Sequence, residues 1–262
     1  VRNYLGKKTA SGMPHFIISK MPKHDIYIEA FLGTGSIMKL KKKAHVNIGI
    51  EKDTNVIQKL DFEERYHIVN DNSLKILSSL IDKYSSMGSI CIYLDPPYLH
   101  ETRSCLHRCK YPHELNLEDH VKLLELLCTI DEEYDNVYLL LSGYKSELYM
   151  SMLHGWSYFE TQTMSRGGKK IESLWCNFDP TIYIKHDYNY VGSNYTDRQR
   201  IKRKAQRWVK NLEAMPLDER MFILKEIFHS YNDLCSSIDK NTYSSCKIYY
   251  PVKYVEENKK EK

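Results

Sequence analysis

The sequence predicts an open, doubly wound α/β sheet with an antiparallel edge. Short β-rich runs alternate with helical patterns as far as about residue 145, the mark of a mainly parallel sheet flanked by helices. Most of those runs end in glycines or in an acidic or amide residue, the residue types that open α/β sheets use beyond their strand ends. Two further β-rich runs then flank the Gly167-Gly168 turn, which reads as a hairpin.

Ile26-Tyr27-Ile28-Glu29-Ala30-Phe31 is the first strand, closing in Leu32-Gly33-Thr34-Gly35-Ser36, with a helix from near Ile37. Val46 to Ile50 is the second, ending at Glu51, and Tyr66 to Val69 the third, followed by Asn70-Asp71-Asn72-Ser73. Ser73 is placed to cap a helix running through Tyr84. Ile90-Cys91-Ile92-Tyr93-Leu94 is the fourth strand, ending at Asp95. After a long loop, Leu117 to Glu133 sets Val121, Leu124, Leu127 and Cys128 on one helical face, and Val137 to Leu141 is the fifth strand. Tyr158–Thr163 and Ile171–Phe178 form the antiparallel pair.

Composition changes after Pro180, which divides the chain into a catalytic-sized domain, 1–180, and a basic helical C-terminal extension, 181–262. Asp197 to Leu212 is helical, with Ile201, Ala205, Trp208 and Leu212 as an apolar stripe expected to pack on the body or the next helix. Pro216 opens that next helix, which runs to about Phe228, and the polar end from Cys235 to Lys262 reads as a mobile tail.

With 42% hydrophobic and 27% charged residues, the 262-residue chain has globular composition, and no run approaches the length of a membrane span. Val1-Arg2-Asn3-Tyr4 does not read as a secretory signal. Seven cysteines, an odd number with two inside strands, point to free thiols in a reducing cytoplasm. A net charge of +4 says little about nucleic acid, so local clusters must carry that case. The 21 tyrosines suit core packing and base stacking equally.

Three strand ends suit a nucleoside-type cofactor. Gly33 and Gly35 let the backbone approach a ligand, and the following helix N-terminus attracts a carboxylate. Glu51 is placed to accept from ribose hydroxyls, and Asp71 with Asn72 to bind an adenine amino group. The third glycine of a dinucleotide fingerprint is missing.

Asp95-Pro96-Pro97-Tyr98 follows the fourth strand. Its prolines stiffen the backbone and remove two N–H donors, leaving carbonyls to accept from an amino group. A carboxylate and a proline carbonyl together hold both hydrogens of an sp² –NH₂ and draw its electron density toward an electrophilic methyl group. Tyr98 offers a π face to an extruded base.

These motifs resemble the Dam-type family of DNA adenine methyltransferases, in particular its small, phage-type members. Arg2-Asn3-Tyr4-Leu5-Gly6-Lys7 resembles the family's N-terminal cofactor motif, Glu29 to Ser36 its glycine-rich motif, and Asp95 to Tyr98 its catalytic one. Thr102-Arg103, Tyr111, Glu114, Asp119-His120, Leu141 to Tyr144, Leu148-Tyr149, Gly155-Trp156, Glu172-x-Leu174-Trp175-x-Asn177 and Asp197 to Lys204 match its pattern, so coverage runs over about residues 2–228. Leu5 and Ala30 stand where the family usually has glycine and proline, and Leu32-Gly33 where it has Gly-Gly. The resemblance implies a Rossmann-like S-adenosylmethionine-dependent methyltransferase fold and methyl transfer to the N6 amine of a flipped adenine in double-stranded DNA, leaving S-adenosyl-L-homocysteine. It implies that Tyr4, Lys7, Glu29, Phe31, Gly33, Gly35, Ser36, Glu51, Asp71, Asn72 and Asp95 hold the cofactor, and that Asp95, Pro96, Pro97 and Tyr98 hold the adenine. It implies no metal.

The stretch Ser73–Leu94, where larger members insert a recognition domain, holds only one helix and one strand. DNA contacts are therefore expected from the loop His100–Glu114, with Arg103, Arg108, Lys110 and His113, and from the turn carrying Arg166, Lys169 and Lys170. The basic helix adds Arg198, Arg200, Lys202, Arg203, Lys204 and Arg207, suited to phosphate contacts. His100, Cys105, His107, Cys109 and His113 match no common zinc spacing. His15, His24 and His45 show no partners and read as surface or packing residues. Alternatives are an RNA adenine or N4-cytosine acceptor, or a catalytically silent DNA- or cofactor-binding module. The recognition sequence, any restriction endonuclease partner and the oligomeric state are not written in these motifs.

Overall fold

The computed structural model describes residues 12–99, 113–165 and 168–231, with backbone alone at 163–165 and 168–170. The elements are α1 Met13–Lys20, β1 Ile26–Ala30, α2 Ser36–Leu40, β2 Val46–Glu51, α3 Thr54–Ile57, β3 Tyr66–Asn70, α4 Ser73–Tyr84 and β4 Ile90–Leu94. They continue with α5 Leu117–Glu133, β5 Val137–Gly143, α6 Glu147–Met152, β6 Ser157–Ser165, β7 Gly168–Cys176, α7 Tyr195–Glu213 and α8 Leu217–Ser230. Seven strands form one sheet in the order β3-β2-β1-β4-β5-β7-β6. The first five are parallel, while β7 runs antiparallel to both β5 and β6. This is a Rossmann-like sheet with the antiparallel edge hairpin that the sequence predicts.

Alternation along the inner strands explains why both faces are covered. One set, including Ile28, Ile48, Ile92, Leu139 and Leu141, packs with Leu77 and Ile81 of α4 and Leu123, Leu124 and Leu127 of α5. The intervening set, Tyr27, Cys91, Tyr93, Leu140 and Leu174, packs with Met13, Ile17 and Ile18 of α1 and Ile37 and Met38 of α2. Every residue of β1 and β4 is buried, and β4 reads as a continuous apolar run while β1 is interrupted by Glu29.

Several local expectations need correction. The cap of α4 is Asn72, whose side-chain oxygen accepts from the Leu74 N–H. Ser73 begins that helix, and its hydroxyl accepts from the Phe31 N–H at 3.3 Å, tying the end of β1 to α4. On α7, Trp208 is 60% and Val209 54% exposed, so the expected packing of its apolar stripe is only partly realised.

The chain forms two compact units, residues 1–202 and 203–262. In the first, a strap after Pro180 fastens to the segments leading into β1 and β2. The Lys23 N–H donates to the Ile184 carbonyl (2.7 Å), the His186 N–H to Met21 (3.2 Å), and the Tyr190 hydroxyl to Leu40 (2.8 Å). His186 Nε2 meets the Lys42 carbonyl at 3.0 Å, and the ring stacks on buried His24 with centroids 3.7 Å apart. In the second unit, Arg220 closes the end of α7 by donating to the carbonyls of Glu213 and Met215. Among the described residues no helix is long and apolar enough to cross a membrane.

Candidate active site at the strand-end crevice

The strand order reverses between β1 and β4, where such sheets open a ligand crevice beyond the carboxyl ends of their strands. Ala30 pairs with Leu94, so the chain leaves the two strands side by side. Phe31 to Gly35 emerges on one side of the crevice and Asp95 to Tyr98 on the other.

The first turn is built from unusual backbone. Phe31, Gly33 and Gly35 have φ of 61°, 54° and 61°, the left-handed region that glycine enters without strain. A Cβ on Gly35 would stand 2.3 Å from Phe62 Cζ, so any larger residue there would have to displace that ring. The Gly33 N–H donates to Glu51 Oε2 (2.7 Å), and the Asp53 N–H donates to Oε1 of the same carboxylate (2.8 Å). Glu51 is thereby locked at the end of β2, only 7% exposed, with lone pairs left on both oxygens. Ser36 opens α2 and its hydroxyl lies 2.7 Å from that of Thr34. Because α2 has only five residues, the turn's N–H groups rather than a developed helix dipole are what it offers an anion.

Other residues expected at the cofactor have partners within the fold. The Glu29 carboxylate accepts from the Tyr27 hydroxyl (3.0 Å) and the Met38 N–H, and is 3% exposed beneath the turn. Burial, with Asp95 nearby, pushes its pKa up to about 8. Lys41, 3% exposed, lies over the Tyr27 ring at 4.1 Å, and burial brings its pKa down to about 7. Asn72 commits its oxygen to the α4 cap, while Asp71 is exposed and accepts from the Asn72 N–H at 2.6 Å. Tyr4 and Lys7 lie outside the described residues.

Across the crevice, Pro96 is buried while Asp95, Pro97 and Tyr98 are partly exposed. The Tyr98 hydroxyl points to Glu172 Oε2 at 3.4 Å, and its ring meets Tyr144 edge-on with centroids 4.6 Å apart and planes at 68°. Two buried polar pairs lie near Asp95: Tyr93 Oη with Ser142 Oγ at 2.9 Å, and His120 Nδ1 with Tyr149 Oη at 2.9 Å. Burial, followed by Asp95, raises both tyrosine pKa values, so both phenols stay neutral.

Several residues that carried the family resemblance hold the scaffold. Asp119 completes a capping box with Asn116 at the start of α5. Trp156 Nε1 and Asn177 Nδ2 both donate to Asp131, at 3.0 and 2.7 Å. Leu174 and Trp175 are core.

Of the residues expected at DNA, Arg103, Arg108, Lys110 and Arg166 lie outside the described residues. Lys169 and Lys170 occupy β7 opposite Met164 and Thr163, with backbone alone described. His113 is exposed. On α7, Arg200, Lys202, Arg203, Lys204 and Arg207 are exposed, Arg198 is partly covered, and Arg200 pairs with Asp197 at 2.8 Å. Among the described residues no group of three or more His, Cys, Asp or Glu forms a metal site.

No family model matches the chain, and no curated protein does. Solved structures with similar arrangements include an rRNA methylase from Streptococcus thermophilus, at 12% identity and TM-score 0.37, covering 63% of this chain and 93% of that one. The N-methyltransferase NodS from Bradyrhizobium japonicum shows 10% identity, coverage of 63% and 93%, and a TM-score of 0.40. A protein assigned as a methyltransferase from Streptococcus mutans, solved in complex with SAH, shows 13% identity, coverage of 62% and 93%, and a TM-score of 0.40.

Proposed function

We propose that the chain is a site-specific DNA adenine methyltransferase that uses S-adenosylmethionine. The observation that carries this reading is the placement of Asp95-Pro96-Pro97-Tyr98 beside the Gly33–Gly35 turn, across the crevice where the strand order reverses. The residues present fit the cofactor. Glu51, fixed through two backbone N–H groups, supplies acceptors for a ribose diol, and the glycine turn lets a charged, adenosine-bearing ligand approach the backbone.

When bound, the cofactor supplies an electrophilic methyl carbon on a cationic sulfur. Asp95 and the Pro96 carbonyl hold the two hydrogens of the adenine N6 amine, aiming its lone pair at that carbon, and Tyr98 stacks on the flipped ring. The chemistry the bound cofactor would supply is its methyl group, passed to the amine with sulfur keeping the electron pair of the broken C–S bond. The amine, acidified in that step, then gives one proton to solvent, so no strong base is required. The exposed basic face of α7 serves phosphate contacts.

The test is expression in a host lacking adenine methylation, followed by mapping of modified adenines in its DNA. A defined motif carrying N6-methyladenine is expected, and Asp95→Ala should erase it in protein that remains folded. Unmodified DNA from cells making folded protein would refute the reading, and modified RNA or cytosine would redirect it to another acceptor.

A further inference from the structure

The antiparallel edge brings a residue far along the chain to the catalytic loop. Pairing between β5 and β7 ends at Gly143 with Ser173, so the next residue on each strand, Tyr144 and Glu172, passes beyond the ladder together. Both meet Tyr98, Tyr144 by its ring and Glu172 by its carboxylate. The phenol of Tyr98 is thus held at its hydroxyl end by a residue of β7 and along its ring by the residue that follows β5, neither of them part of its own loop. The contact to Glu172, at 3.4 Å, is at the long end of the hydrogen-bond range. A partly exposed carboxylate beside a loop that approaches DNA also repels phosphate, a cost that a purely structural contact would not call for.

We propose that Glu172 is a positioning residue that fixes the plane of Tyr98 for stacking on the extruded adenine, with Tyr144 as the second restraint. This rests on the methyltransferase reading above. A phenol free to turn about its side-chain torsions would stack on the base in several geometries, few of them aligned for transfer.

The experiment uses the full chain and two duplexes, one with adenine at the mapped target for kcat and one with 2-aminopurine in its place for fluorescence. Glu172→Ala and Tyr98→Phe should each lower kcat about tenfold, the scale of one hydrogen bond to a charged group, with KM and cofactor affinity unchanged. The double variant should be no slower than either single one, and Glu172→Gln, which retains an acceptor, should recover most of the loss. In the absence of cofactor, Glu172→Ala should leave 2-aminopurine brighter than wild type does, because the flipped base is quenched less by stacking. Urea midpoints for the variants would identify any loss caused by unfolding. Wild-type kcat and fluorescence in Glu172→Ala, or additive losses in the double variant, would overturn the proposal while leaving the methyltransferase reading intact. A wild-type protein that neither flips nor methylates the adenine would bring down both.

Discussion

Acid should loosen the strap that follows Pro180, and His186 sets the scale of the effect. Burial first, and then the Lys41 ammonium, bring the His186 pKa down from 6.5 to about 3. A group whose pKa is depressed by folding contributes its full stability above the unfolded value, 6.5, and loses it as pH falls toward the folded value. At about pH 5 the unfolded ring is almost wholly protonated and the folded one almost wholly neutral, so linkage predicts a loss of about 2 kcal/mol from this residue. His24, stacked on it and also held well below its usual range by burial, acts in the same direction. The assay is urea denaturation followed by circular dichroism at about pH 7.5 and about pH 5, for wild type and His186→Gln. Glutamine cannot titrate and its amide can still donate to the Lys42 carbonyl. The wild type should lose about 2 kcal/mol more than the variant on acidification. Equal losses in the two proteins would refute the reasoning.

Gly35→Ala combines a left-handed φ of 61° with a Cβ placed 2.3 Å from Phe62, and should cost about 1–2 kcal/mol in urea denaturation. Adding Phe62→Ala should remove the steric component of the loop's distortion, seen as partial recovery of cofactor binding. Glu51→Gln turns an NH₂ toward one of the two backbone N–H groups now bound by carboxylate oxygens, so calorimetry should show cofactor affinity reduced about tenfold or more. Neutralising Lys202, Arg203, Lys204 and Arg207 together should flatten the salt dependence of DNA binding, by about 0.9 in log–log slope for each phosphate that no longer meets a cation. Arg200→Gln should change that slope less, because Asp197 already pairs with Arg200.

What could be read in advance was what local chemistry decides. Ile90–Leu94 is a continuous apolar run stopped by two prolines, and α5 begins at a capping box and has 17 residues of clear periodicity. The antiparallel edge follows from the two β-rich runs around Gly167-Gly168, although each strand proved a little different in its limits. The three helices not anticipated, α1, α3 and α6, have only eight, four and six residues, too few turns for a period to show. What spacing did not show was the direction of side chains and their partners within the fold. Glu29 turns under the glycine loop and Asn72 serves a helix end, choices made by packing rather than by spacing. His24 gave no hint of a partner because His186 comes 162 residues later, just as Glu172 lies 74 residues from Tyr98. Trp208 is 60% exposed among the described residues, and helical periodicity says which face is apolar and not what will meet it.

Phe31 bears on how this protein can be engineered. Among the described residues it is the non-glycine residue at positive φ, and a search for stabilising substitutions would select it first, since Phe31→Gly relieves a conformational cost of about 1 kcal/mol. The same position carries the N–H that joins β1 to Ser73 and a ring packed against the sheet core. Glycine would keep the hydrogen bond and lose the wedge, giving the turn freedom to sample shapes in which Gly33 no longer faces Glu51. Losing that packing should outweigh about 1 kcal/mol of backbone relief, so Phe31→Gly should lower thermal stability as well as leave a less organised crevice. Selection at this position is best run with the cofactor present, so that binding and folding are scored together.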